Sequence, residues 1–147
     1  MNKHKFTKGD VHVRLTVPGQ FGGSRVEHTT IEGLRCGWLA ITPTVRLDSD
    51  GRPYGVRRTR NVTHIPSGYM LTWPPDGVYG IDCYSLAAFR LWVGCLLDAA
   101  PSPDFWETLS DSVGQGEVSP VMVRARELYV AAVARMVCGE PAPEMQP

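Results

Sequence analysis

Three arginines and a histidine stand close together at Arg57, Arg58, Arg60 and His64, inside the run YGVRRTRNVTHIPSGYMLTW that spans residues 54–73. Guanidinium groups pair bidentately with carboxylates and phosphates. On an extended strand, alternate residues lie about 6.6–7 Å apart on one face, close to two phosphate repeats of a nucleic-acid strand. Arg58 and Arg60 are therefore spaced to follow a nucleic-acid backbone or to meet acidic side chains. The same cations on an edge strand can equally serve only to discourage strand-to-strand aggregation. A second chemistry is conceivable at Cys36 with His28 or His64, because a thiol beside an imidazole is a nucleophile–base pair. A third group is acidic. Asp104 and Glu107 are three apart and Glu107 and Asp111 four apart, with Asp98 nearby. On a helix these acids share a face. They form either a solvated surface with favourable charge near a helix N-terminus or a patch that docks a basic partner.

No GxSxG, P-loop or HExxH motif is present, and no GxGxxG follows a strand, so no cofactor is expected. Gly19 to Gly23 is glycine-rich, but no helix follows it to aim amides at a phosphate. The cysteines Cys36, Cys83, Cys95 and Cys138 are too widely spaced for a structural zinc site, and no metal is expected. Cys95 and Cys138 fall on apolar helical patterns and read as small hydrophobes. Asp48-Ser49-Asp50-Gly51 looks like part of a calcium loop. The first and twelfth positions of that loop would be Arg46 and Arg57, cations where oxygen ligands belong, so the segment reads as a turn. No signal peptide and no apolar run of membrane-spanning length appear, which predicts a cytoplasmic chain with reduced thiols and no membrane partner.

Formal net charge is zero over 147 residues, yet it is unevenly spread. Residues 1–74 hold eleven Lys and Arg against five Asp and Glu, a net +6, and residues 75–147 hold four against ten, a net −6. Such asymmetry accompanies separate interaction surfaces, or simply two halves of different composition.

The elements that must position these residues follow from periodicity. Residues 1–10 are polar and predict a flexible N-terminus. Val11, Val13, Leu15 and Val17 alternate with polar neighbours as a half-buried strand. Arg25 to Ile31 is extended, with Gly33 predicted to end it. Trp38 to Leu47 is a strand in which Pro43 implies an edge or a bulge. For residues 54–73 a three-residue loop, Pro66-Ser67-Gly68, closes a hairpin. That register pairs Ile65 with Tyr69, Thr63 with Leu71 and Asn61 with Trp73. It turns His64 outward, in line with Arg58 and Arg60, and a slip of one residue would exchange the two faces. Val78 to Ile81 can add a short strand. A helix capped by Asp82 or Ser85 runs to Asp98 with Leu86, Phe89, Val93, Leu96 and Leu97 inward. A short helix is predicted over Asp104 to Ser110. A last one starts at Pro120 and ends near Val137, with Val121, Ala125, Leu128, Ala132 and Met136 inward. The proline-rich residues 140–147 are expected to be disordered.

Strands followed by helices predict a single α+β domain over residues 11–139. It would hold an antiparallel sheet of four to five strands from about 11 to 73, with two to three C-terminal helices packed on one face. The segment Val62-Thr63-His64-Ile65-Pro66-Ser67-Gly68-Tyr69, with the amphipathic helix after it and a Trp near an acidic helix, resembles small accessory proteins of phages and mobile elements. That resemblance implies a context in which small accessory proteins bind and block host machinery, CRISPR complexes among them. With the missing catalytic motifs and the charge-segregated halves, it predicts a non-enzymatic inhibitor of a host protein or ribonucleoprotein. The charge pattern makes Arg57, Arg58, Arg60, His64, Asp104, Glu107 and Asp111 the candidate contact residues. Direct nucleic-acid binding through Arg57 to Arg60 and a small enzyme using His64 or Cys36 are the alternatives. Oligomeric state is not encoded in any recognisable pattern.

Overall fold

In the computed structural model, residues 4–18, 22–71, 73–100 and 120–139 are described. They form an α+β protein with one antiparallel sheet and two helices. Chain contacts separate a sheet unit, residues 6–72, from a helical unit made of residues 1–5 and 73–147.

The sheet is a meander of four strands in sequential order: β1 (Thr7–Pro18), β2 (Ser24–Cys36), β3 (Leu39–Leu47) and β4 (Pro53–His64). β1 begins at Thr7, earlier than the polar N-terminal sequence suggests, because Thr7 to Asp10 find ladder partners in Arg35 to Glu32. β2 likewise continues through Gly33 instead of ending there. A side chain at Gly33 would meet the Ile41 carbonyl at 2.8 Å and Val11 at 3.3 Å, so glycine is what lets the neighbouring strand approach. Pro43 lies in β3, an inner strand, and the ladder to β4 shifts register between Pro43 and Thr44. Proline thus sits at a bulge, where no ladder donor is needed.

Alternation along β1 sends Val11, Val13 and Leu15 inward, where they join Ala40 and Val45. Val17, Ile31, Leu47, Ile65 and Met70 pack around this cluster. Burying each large aliphatic side chain contributes about 1.5–3 kcal/mol. Two buried hydroxyls on β3 and β4, Thr42 and Thr63, hydrogen-bond each other at 2.8 Å and so satisfy one another inside the core.

The chain does not return from β4 as a regular strand. Residues 65–68 make a four-residue loop, one longer than the hairpin predicted. His64 N–H donates to Tyr69 O at 2.8 Å, Leu71 N–H donates to Val62 O at 2.6 Å, and Thr63 faces Met70. The register is therefore offset by one residue from the expected one, and the returning segment exchanges faces, so that Met70 joins Ile65 and Thr63 on the Ala40 side of the sheet. The turn's own chemistry explains this. Gly68, at φ +77°, donates its N–H to His64 O at 2.7 Å, and Ser67 Oγ accepts from Tyr69 N–H at 3.2 Å. These bonds hold the extra residue in the loop. The loop also reaches β1, where Arg14 N–H donates to Gly68 O at 2.8 Å, so the two ends of the meander are tied together.

In the helical unit, α1 (Leu86–Ala99) starts at Ser85, whose hydroxyl accepts from Ala88 N–H at 3.1 Å. The second helix, α2 (Pro120–Val137), begins with proline at its first position, where a missing N–H costs nothing. Trp92 on α1 meets Tyr129 on α2 edge to face, with centroids 5.7 Å apart. α2 buries Val121, Met122, Ala125, Tyr129 and Val133. That stripe is turned from the expected one: Met136 is exposed, and the large aromatic at Tyr129 sets which face goes inward. Residues 78–81 form a turn and not a strand.

Candidate functional site

Cationic residues reach the surface where β4 bulges. Pro43 pairs with Arg60 and Thr44 with Val56, so Arg57, Arg58 and Thr59 have no ladder partner on β3. A bulge of this kind interrupts the pleat and re-aims side chains. Arg58 is exposed and Arg60 is half-buried. Arg57 belongs to this strand, but its side chain lies outside the described residues. The even spacing expected of Arg58 and Arg60 depends on a regular pleat, which the bulge removes.

His64 does not extend this ridge. It is buried, and the edge of the Trp38 ring system meets its imidazole at a centroid distance of 5.9 Å. Its Nδ1 lies 2.7 Å from Ser67 Oγ. A serine–histidine contact of that length suits a nucleophile and its base. Here the serine also accepts from the Tyr69 amide, and the two residues are three apart in one turn. That geometry makes the pair a clamp on the turn, which is the cause of the one-residue register offset. Cys36 and His64 fall in one cross-strand row, each paired with Leu39. Two strand spacings of about 4.7–4.9 Å keep them out of hydrogen-bond reach. Burial pushes the Cys36 thiol up, away from the thiolate form a nucleophile needs.

The remaining thiols differ from one another. Cys83 is buried and points its Sγ at Asp76 Oδ1, 3.6 Å away. Burial pushes this thiol up, and the Asp76 charge adds to the effect. The Cys95 thiol is pushed up to about 12 by burial, with the Asp98 carboxylate adding to it. Cys138 is exposed. Asp104, Glu107 and Asp111, the predicted acidic surface, and the short helix predicted to carry them lie outside the described residues.

One pair went unnoticed in the sequence. His12 on β1 and His28 on β2 lie on the same sheet face, diagonal to each other, since His12 pairs with Thr30 and Arg14 with His28. His12 Nε2 lies 2.8 Å from His28 Nδ1. The ring planes are 13° apart and the centroids 5.0 Å apart. The centroid separation exceeds the N···N distance by about two ring radii. The rings therefore meet edge to edge, and one ring N–H donates to the other ring's nitrogen, with either ring able to be the donor. Both residues are exposed. Beside them Arg14 places its guanidinium 4.8 Å from the centroid of the Tyr69 ring. Among the described residues, no group of three or more His, Cys, Asp or Glu converges as a metal site. No helix among them is long and apolar enough to cross a membrane.

A comparison with protein-family models, curated proteins and solved structures finds nothing that matches this chain.

Proposed function

We propose that the chain is a binding protein that docks an acidic partner on the bulged, cationic stretch of β4, at Arg57, Arg58 and Arg60. The partner is a host protein or ribonucleoprotein, and the chain acts as an inhibitor of the kind carried by phages and mobile elements. The observation that carries this reading is the bulge. It leaves the exposed Arg58 at a break in the ladder, off the regular strand surface. A guanidinium fork on that surface suits carboxylate or phosphate oxygens taken in pairs. A net charge of +4 on the sheet unit, nine Lys and Arg against five Asp and Glu in residues 6–72, favours encounter with such a partner. Asp104, Glu107 and Asp111 would offer a second, acidic surface to a basic partner.

The test compares the full chain with its Arg58→Glu variant in affinity capture from host lysate, with and without nuclease treatment. A stoichiometric protein retained by the wild type and lost in the variant is the expected result. A species retained equally by both, or none at all, overturns the reading. If nuclease abolishes capture, the partner is nucleic acid itself. Binding to an oligonucleotide should then weaken with salt with a log–log slope of about −2 to −3, as two or three phosphates are neutralised.

A further inference from the structure

We propose that His12 and His28 form a two-histidine site for a borderline transition-metal dication such as Zn²⁺, Ni²⁺ or Cu²⁺, which takes the place of the hydrogen bond now made between the rings. The donor atoms are already aimed at each other, Nε2 of His12 and Nδ1 of His28, at 2.8 Å. Two Zn–N bonds of about 2.0–2.1 Å at a tetrahedral angle place the two nitrogens roughly 3.3 Å apart. The rings need to part by about half an ångström and to tilt so that both lone pairs point at one metal off the N···N line, which side-chain rotation supplies because both residues are exposed. Neutral imidazole suits this class of metal, while calcium and magnesium prefer oxygen. On binding, each facing nitrogen gives a lone pair to the metal, and the proton on the ring that had donated moves through solvent to that ring's other nitrogen, so both imidazoles stay neutral.

The fold holds one of the two ligands in place. A Cβ added to Gly68 would stand 3.0 Å from His12 Nδ1, so the backbone of the closing loop lies directly against the back of that ring. Nδ1 is thereby turned to the loop and Nε2 to His28. His28 is positioned by the long β1–β2 ladder, whose register is continuous from Thr7 to Pro18. Arg14 is the unfavourable neighbour, since a guanidinium opposes a dication. Its position over the Tyr69 ring spreads that charge onto a π face. With no third protein ligand among the described residues, water completes the coordination and the metal is exchangeable.

The experiment uses the full chain in metal-free form, with Cys138→Ser introduced throughout so that the exposed thiol does not compete. Calorimetric titration with nickel or zinc salt should show one equivalent bound. His12→Ala and His28→Ala should each weaken binding at least about tenfold, whereas His4→Ala, a histidine bonded to Asp98, should leave it unchanged. Substoichiometric Ni²⁺ should broaden the imidazole resonances of His12 and His28 before any others. Unchanged affinity in both histidine variants, broadening centred elsewhere, or no binding at all overturns the proposal. Circular dichroism checks that each variant is folded, the expected result at two exposed positions.

Discussion

Gly68 does three things at once, and two of them, the left-handed backbone and the close packing against β1, suit glycine alone. It occupies φ +77°, it donates to His64 O, and its Cα side faces His12 and Arg14 at contact distance. Left-handed backbone costs a residue with a Cβ about 1–2 kcal/mol, and the new methyl would also press on His12 O at 3.2 Å and Arg14 Cβ at 3.3 Å. Gly68→Ala is therefore expected to destabilise the chain by at least about 1–2 kcal/mol, measured as a lower urea midpoint with an unchanged slope. It should also weaken metal binding at His12, which a general loss of stability would not do in the folded population. A variant as stable as the wild type would show that the loop does not hold this geometry.

At the scale of elements, alternation and capping were readable where one signal dominated. β1, β3 and both helices appear where their periodicities place them, and Ser85 and Pro120 mark the helix starts. The misreadings share a cause: each depended on a tertiary contact. The turn after β4 holds one residue more than its Pro-Ser-Gly content implies, because Ser67 binds both His64 and the Tyr69 amide. His64 is buried for a different reason: its own face of the sheet is covered as well, as the buried Leu39, Ile41 and Val62 around it show. Gly33 reads as a breaker until the approach of Ile41 is known. His12 and His28 were legible as members of adjacent strands, but their meeting depends on the diagonal, which alternation within one strand does not give. Between the helices, the Tyr129 hydroxyl and the Trp92 indole N–H are buried with no partner among the described residues. A buried hydroxyl left unpaired costs about 1–3 kcal/mol, so Tyr129→Phe is expected to be neutral or stabilising by up to about 1 kcal/mol in chemical denaturation. A clear loss of stability in that variant would mean that the hydroxyl has a partner. Tyr129→Ala, by contrast, should cost about 3–5 kcal/mol, because it empties the ring's place against Trp92.

For the whole molecule, neutrality conceals opposition: the sheet unit carries +4 and the rest of the chain −4, ten Asp and Glu against six Lys and Arg. Electrostatic steering of a partner is then a property of one unit and not of the chain, and it fades within a Debye length of about 8 Å at physiological salt. The bond from Arg14 N–H to Gly68 O carries a different kind of consequence, one of order in time. The β1–β2 ladder joins neighbours along the chain, whereas this bond joins the first strand to the loop after the last. Closing so long a segment costs chain entropy that is recovered only once the intervening strands are in place. The closure therefore forms after the meander and opens before it. In native-state hydrogen exchange the Arg14 amide should lose protection at a lower free energy than the amides of Val13 and Leu15 beside it, and equal protection across the three would show that the sheet opens and closes as one piece. If it does open first, the loop that backs His12 is also the part of the sheet unit most often absent, and occupancy of the histidine pair becomes a clock on that opening.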